Sequence, residues 1–169
     1  MAISIPLGRV LRHLYCRRRH LRRALPRRAR RALRDAIRES EKTHSGEIHV
    51  ALEASLDSRR VWRGETPRER ALEVFSRLRV WDTERNNGVL IYLLLADRSV
   101  EIIADRGIHS RVGPGHWEMI CRTMESQFRD GQFEAGLLYG IQTVGDCLIQ
   151  HFPGADTEGN ELPDQPSIL

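Results

Sequence analysis

The sequence predicts an α/β fold, a mixed sheet carrying helices on its faces, preceded by a basic amphipathic helix. Three observations predict it. Val89 to Leu95 is apolar throughout, the pattern of a strand covered on both faces. Val100 to Ala104 follows after Asp97-Arg98-Ser99 and is interrupted only by Glu101, so it reads as a second strand turned back beside the first. Helical periodicity recurs before, between and after the strands, as a sheet with two apolar faces requires.

The elements follow in chain order. Leu7, Leu11, Leu14, Leu21 and Leu25 recur at spacings of three, four and seven among arginines, which predicts a basic amphipathic helix over 7–25. Pro26 interrupts it, because proline is tolerated only in a first turn. Ala29, Leu33, Ala36 and Ile37 place a second helix over 27–43, ended near Gly46. Residues 47–56 alternate, with Ile48, Val50 and Leu52 apolar and Glu47, His49 and Glu53 polar, a first strand. After a polar loop with Trp62 and Gly64, Thr66-Pro67-Arg68-Glu69 combines a threonine cap, a first-turn proline and a glutamate at the third position. That helix carries Ala71, Leu72, Val74, Phe75 and Leu78. Beyond the two central strands come a glycine-rich loop over 107–115, a helix over 116–129, a turn at Asp130-Gly131 and a final helix over 132–151. An extra short strand is compatible with 57–64 or 108–113. The organisation is thus a basic arm over 1–26, a domain over 27–152, and a polar, proline-bearing tail over 153–169 expected to be disordered.

The 169 residues suffice for one domain with a substantial core. No apolar run approaches the roughly 18 residues of a membrane span. The N-terminus does not read as a secretory signal, since Ile3 to Leu7 is short and leads into arginines. Residues 1–34 have the acid-free, arginine-rich composition of a transit peptide, but they run straight into a domain helix. Charge is distributed unevenly. Residues 1–38 hold thirteen arginines against Asp35 alone, a balance of +12 in a chain whose total is +4, so the remainder is −8. Cys16, Cys121 and Cys147 form no metal or disulfide spacing, and they fit a reducing compartment and core positions.

Candidate chemistry lies at the strand ends. Glu53, Asp97 and Asp105 are carboxylates that would form an oxygen-rich site if those ends lay side by side, with Asp82, Glu84, Asn86 and Asn87 joining from the preceding loop. Such ligands suit Ca²⁺ or Mg²⁺, and a metal there would orient water for phosphate-ester hydrolysis. Asp105 and Arg106 are the catalytic candidates, the guanidinium of Arg106 (or Arg98) serving as an anion clamp. The bland alternatives are a turn residue at Asp97, a solvated Glu53 and salt-bridged arginines. His44, Glu47 and His49 lack zinc-site spacing, and Gly113-Pro114-Gly115 lacks the Lys-Ser/Thr ending of a phosphate loop. His109 and His116 border the glycine-rich loop as weaker acid–base candidates. Ser99, Ser110 and Ser126 sit in no nucleophile motif. The arm over 1–25 is suited to an anionic membrane surface or to docking on the domain. Nucleic acid is disfavoured, since Tyr15 is its one stacking aromatic.

Asn86-Asn87-Gly88-Val89-Leu90-Ile91, Asp97-Arg98, Val100-Glu101-Ile102 and Ala104-Asp105-Arg106-Gly107-Ile108 resemble the core of the TPM-domain family. Phe128-Arg129-Asp130-Gly131-Gln132-Phe133-Glu134-Ala135-Gly136-Leu137 resembles its closing segment, and Glu41 to Ile48 its helix-to-strand junction. The resemblance covers about 27–152 and implies a three-layer α/β/α sandwich. Members are described as phosphatases, plastid photosystem-repair factors and calcium-binding domains. Secreted relatives carry a signal peptide and a membrane segment, neither of which this sequence shows, so it resembles a non-secreted bacterial subgroup. Where the family has a glycine-aromatic-glycine segment, this chain has Asp105-Arg106-Gly107-Ile108. The expectation is a cytoplasmic accessory or interaction domain, peripheral on the inner membrane, with an unidentified protein partner and a divalent metal. The alternative is a metal-assisted phosphatase acting on phosphomonoesters.

Overall fold

In the computed structural model, which describes residues 7–154 and 161–169, the two central strands form the hairpin that their apolarity implies. β2 (Val89–Leu94) runs antiparallel to β3 (Ser99–Ala104), with a single 3-10 turn over Leu95–Asp97 and Arg98 left-handed at φ 51° between them. β1 (Ile48–Glu53) lies parallel to β2, Ile48 opposite Val89 and Glu53 opposite Leu94. β4 (Ser167–Ile168) adds in parallel to the outer edge of β1, so the order among the described residues is β3-β2-β1-β4. The sheet is therefore mixed.

Both faces of the sheet are covered. Val89, Ile91 and Leu93 join one core, and Leu90, Tyr92 and Leu94 the other, all fully buried. The first core is closed by α2 (Arg18–Ala24), α3 (Arg27–Glu41), α6 (Arg106–Val112), α7 (Pro114–Arg129) and α8 (Phe133–His151). The second is closed by α1 (Leu7–Tyr15), α4 (Ser58–Trp62) and α5 (Pro67–Arg77). This is an α/β/α sandwich preceded by a basic helix. At the start of α5 the capping box forms as its sequence implies: Glu69 N–H donates to Thr66 Oγ1 at 3.2 Å, and Thr66 N–H to the Glu69 carboxylate at 2.7 Å.

Four expectations change. The helix over 7–25 is two helices, because α1 and α2 serve different cores. Val10 packs in the α4–α5 core, whereas Leu21 and Leu25 belong to the α3–α8 core. The chain bends at Cys16-Arg17, and His20 Nδ1 accepts the Arg17 N–H at 3.0 Å to start α2. The arm is consequently built into the domain and not set apart from it. Residues 57–64 and 107–115 hold α4, α6 and the start of α7 instead of a short strand or a loop.

The tail also departs from expectation. Residues 161–169 are ordered against β1, with Leu162 and Asp164 buried and the Leu169 N–H donating to Leu52 O at 3.0 Å. Residues 1–6 of the arm and 155–160 of the tail lie outside the described residues. Polar side chains at and just before the start of β1 explain the docking. Glu47 Oε2 accepts the Leu162 N–H at 3.1 Å, and His49 reaches Pro163 O at 3.0 Å and Ser167 Oγ at 2.9 Å. Glu47 and His49 are each 2% exposed. Buried polar groups demand partners, and the tail supplies them.

Candidate functional site

The hairpin holds two of the carboxylates expected to converge, Asp97 and Asp105, apart. Asp97 sits at its turn and Asp105 one residue beyond the far end of β3, separated by about 20 Å of strand. Each carboxylate is already engaged. Glu53 is buried on the α5 face, where Arg70 Nε and Nη2 donate to its two oxygens at 2.9 and 3.0 Å and Tyr92 OH donates at 2.7 Å. Burial and the neighbouring Glu53 charge push the Tyr92 phenol far above its ordinary range, which keeps it a donor.

Asp97 lies under α1. Arg9 donates to it at 2.9 and 3.1 Å, and His13 Nε2 is 3.1 Å from its Oδ1. The Leu56 N–H donates to His13 Nδ1 at 2.9 Å, which leaves Nε2 as the ring nitrogen facing Asp97. Burial raises the Asp97 carboxyl, but the His13 and Arg9 contacts outweigh it and hold the group at about 2. Asp105 caps α6, its Oδ1 accepting the Arg106 N–H at 2.7 Å.

Among the described residues no group of three or more His, Cys, Asp or Glu side chains is arranged to hold a metal ion. The expected Ca²⁺ or Mg²⁺ site is overturned: its three ligands serve as an ion-pair partner, a helix anchor and a helix cap. Asp82 and Glu84 are exposed in the loop before β2, and Asn87 is buried, its Nδ2 donating to Ser45 O at 2.8 Å. Arg106 is exposed, and its Nε reaches Asn86 Oδ1 at 3.4 Å. Gly107 is required here, since a Cβ would run into the Asn86 carbonyl. His44 bonds Ser40 Oγ at 2.9 Å, and burial lowers its pKa. Burial pushes the Cys121 thiol up to about 12 and raises Cys16 and Cys147, so none is primed as a nucleophile.

A cleft of about 500 Å³ lies between the free edge of β3 and α7, bordered by Trp117 and His109. Side chains satisfy its strand edge: Glu125 accepts the Val100 N–H at 3.3 Å, and Arg68 donates to Ile102 O at 2.9 Å. Such contacts blunt an edge against strand addition.

Sequence reasoning did not single out Arg9, His13, Arg70 or Tyr92. Arg70 had a readable signal, because it stands one turn before Val74 on the buried stripe of α5. Tyr92 had another, as the one hydroxyl in an apolar strand, which needs a buried partner.

The surface of the arm is the remaining concentration of chemistry. Val10 and His13 turn inward, while Leu7, Leu11 and Leu14 point out, 67%, 45% and 54% exposed, with Tyr15 beside them. Arg17, Arg18, Arg19, Arg22 and Arg23 follow, all exposed, and no carboxylate among the described residues pairs with them. An apolar stripe thus adjoins unneutralised cations.

The TPM-domain family model matches residues 21–147. The chain belongs to the TPM-domain family. A solved relative, the BA42 protein of the psychrophilic bacterium Bizionia argentinensis, is 34% identical, with a TM-score of 0.74 over 86% of this chain and 95% of that one. The N-terminal domain of a P. gingivalis protein shares the fold at 22% identity, with a TM-score of 0.59 over 76% of this chain and 78% of its own. No curated protein matches. The family match begins at Leu21, the first residue of α2 in the main core, so this TPM domain includes the last six residues of the expected arm, 21–26.

Proposed function

We propose that this TPM domain is an accessory module that docks on an anionic membrane surface, the cytoplasmic face of the inner membrane, through α1 and α2. The observation that carries the reading is the exposed stripe of Leu7, Leu11 and Leu14 beside five arginines with no carboxylate partner among the described residues. A helix of this kind lies in the interface with its apolar side among the acyl chains. Each cation near an anionic surface adds about 1 kcal/mol. No helix among the described residues is long and apolar enough to cross a membrane, so the association is peripheral. Nucleic acid would use the arginines but would leave the leucine stripe unexplained.

The metal-assisted phosphatase reading has no comparable support, because Asp105 lies at the opposite end of the hairpin from Asp97, and Glu53 and Asp97 are each held in ion pairs of their own. Vesicle co-sedimentation tests the membrane reading. Binding should rise with the fraction of phosphatidylglycerol, weaken with added salt, and be absent on pure phosphatidylcholine. Equal binding to both lipids, or to neither, contradicts it.

A further inference from the structure

Where α2 meets α3 the chain forms a cleft of about 440 Å³, walled by Arg18, Arg22, Arg27 and Arg30 beside the exposed apolar surfaces of Pro26 and Ile168. The local sequence explains the convergence. Arg18 and Arg22 stand four apart on α2, and Arg27 and Arg30 three apart on α3, so each pair shares one helix face. Pro26 ends the first helix and opens the second, which turns the two faces toward each other.

No carboxylate among the described residues neutralises this cleft. The nearby acids are used elsewhere: Asp35 pairs with Arg34 at 2.7 Å and Asp164 with Arg38 at 3.1 Å. Arg30 Nε is buried and has no hydrogen-bond partner among the described residues. The first turn of α3 contains no acidic residue and no side-chain cap, so the positive end of its dipole adds to the same field.

We propose that this cleft binds a phosphomonoester dianion whose organic part rests against Pro26 and Ile168. Guanidinium forks match phosphate oxygens two at a time. Four of them around one cleft suit a compact dianion better than a carboxylate or a phosphodiester, each of which carries a single charge. The cleft falls within the range of roughly 300–1,000 Å³ typical of small-ligand sites, with room for more than bare phosphate. The site shares Arg18 and Arg22 with the membrane surface but not its apolar stripe, since Leu7, Leu11 and Leu14 do not line it.

The test is isothermal titration calorimetry of the full chain with sn-glycerol 3-phosphate, and with dihexanoyl phosphatidic acid below its micelle concentration. Dimethyl phosphate is the monoanionic control. Saturable binding of a phosphomonoester and weaker binding of dimethyl phosphate are expected. Tighter binding of the phosphatidic acid would identify a lipid headgroup as the source, and equal binding a soluble metabolite. The Arg22→Gln/Arg30→Gln variant should bind about tenfold more weakly or worse. Arg22→Lys/Arg30→Lys, which keeps the charge and loses the forks, should also weaken, while Arg19→Gln/Arg23→Gln, outside the cleft, should not. Thermal unfolding checks that each variant is folded. Absence of saturable binding, equal binding of dimethyl phosphate, or unchanged affinity in either cleft variant overturns the proposal. The Leu11→Ser/Leu14→Ser variant should retain sn-glycerol 3-phosphate binding whatever happens to its vesicle binding, so failure of one reading is distinguishable from failure of the other.

Discussion

Glu53 and Arg70 form a two-point ion pair between β1 and α5, at 2.9 and 3.0 Å, with Tyr92 OH as a third partner at 2.7 Å. The two charged residues are only 8% and 6% exposed. Removing one partner of such a pair leaves an uncompensated buried charge, at a cost of about 3–5 kcal/mol. Glu53→Ala and Arg70→Met should each lower unfolding stability by that order in urea titrations. The double variant should lose less than the sum, because the second change removes the stranded charge. Additive losses would mean the pair is not coupled.

Asp97 links α1 to the hairpin turn and makes stability sensitive to acid. Its carboxyl is held at about 2 in the fold against an ordinary 3.8. Since the folded value is the lower one, unfolding is favoured by proton uptake. The contribution is full above the ordinary value and is lost as pH falls through about 4 toward 2. The amount is about 2 kcal/mol. Asp97→Asn should destabilise the protein at pH 7 and flatten its stability profile across that window. An unchanged profile would show that the Arg9 and His13 contacts contribute nothing in solution.

His49 should control the docking of residues 161–169. Burial lowers its pKa below the ordinary 6.5, partly opposed by its bond to Pro163 O. A base with a lowered folded pKa takes up a proton on release, so docking is complete above about 6.5 and weakens as pH falls through that value. Amide exchange at Leu169, bonded to Leu52 O, should accelerate on that descent. In His49→Ala it should be fast at neutral pH. Slow exchange in that variant would show that Glu47 and strand pairing hold the segment without the imidazole.

The arm is expected to be indispensable to the fold. Deleting residues 1–25 removes Leu21 and Leu25, which are 2% and 0% exposed in the main core, together with Val10. Loss of a buried leucine alone costs about 2–5 kcal/mol, and His13 also satisfies the Leu56 N–H. Thermal unfolding of the truncated chain should show a greatly lowered or lost cooperative transition. A wild-type transition would restore the picture of a detachable arm.

The hairpin, the α5 capping box and the break at Pro26 were legible because each rests on short-range rules. Apolar continuity in β2, Thr66 with Glu69, and the geometry of proline act locally. The partners of Glu47 and His49 were not legible, because alternation does not distinguish water from a buried partner more than a hundred residues away, and both side chains meet the tail. β4 was illegible for the same reason: Ser167 and Ile168 carry little pattern of their own. The separation of Asp97 from Asp105 could have been read from the sequence. A hairpin with six-residue arms necessarily puts its turn and its far end at opposite edges of the sheet. The bend in the arm had no local signal, because it arises from two cores drawing α1 and α2 in different directions.

The central claim is that α1 faces two ways, with Val10 and His13 holding the fold and Leu7, Leu11 and Leu14 meeting a membrane. Co-sedimentation of the Leu11→Ser/Leu14→Ser variant with phosphatidylglycerol vesicles, beside its thermal unfolding, tests this most directly. The account predicts a large loss of vesicle binding with an unchanged unfolding transition, since both leucines are exposed. Wild-type vesicle binding by a folded variant would contradict it.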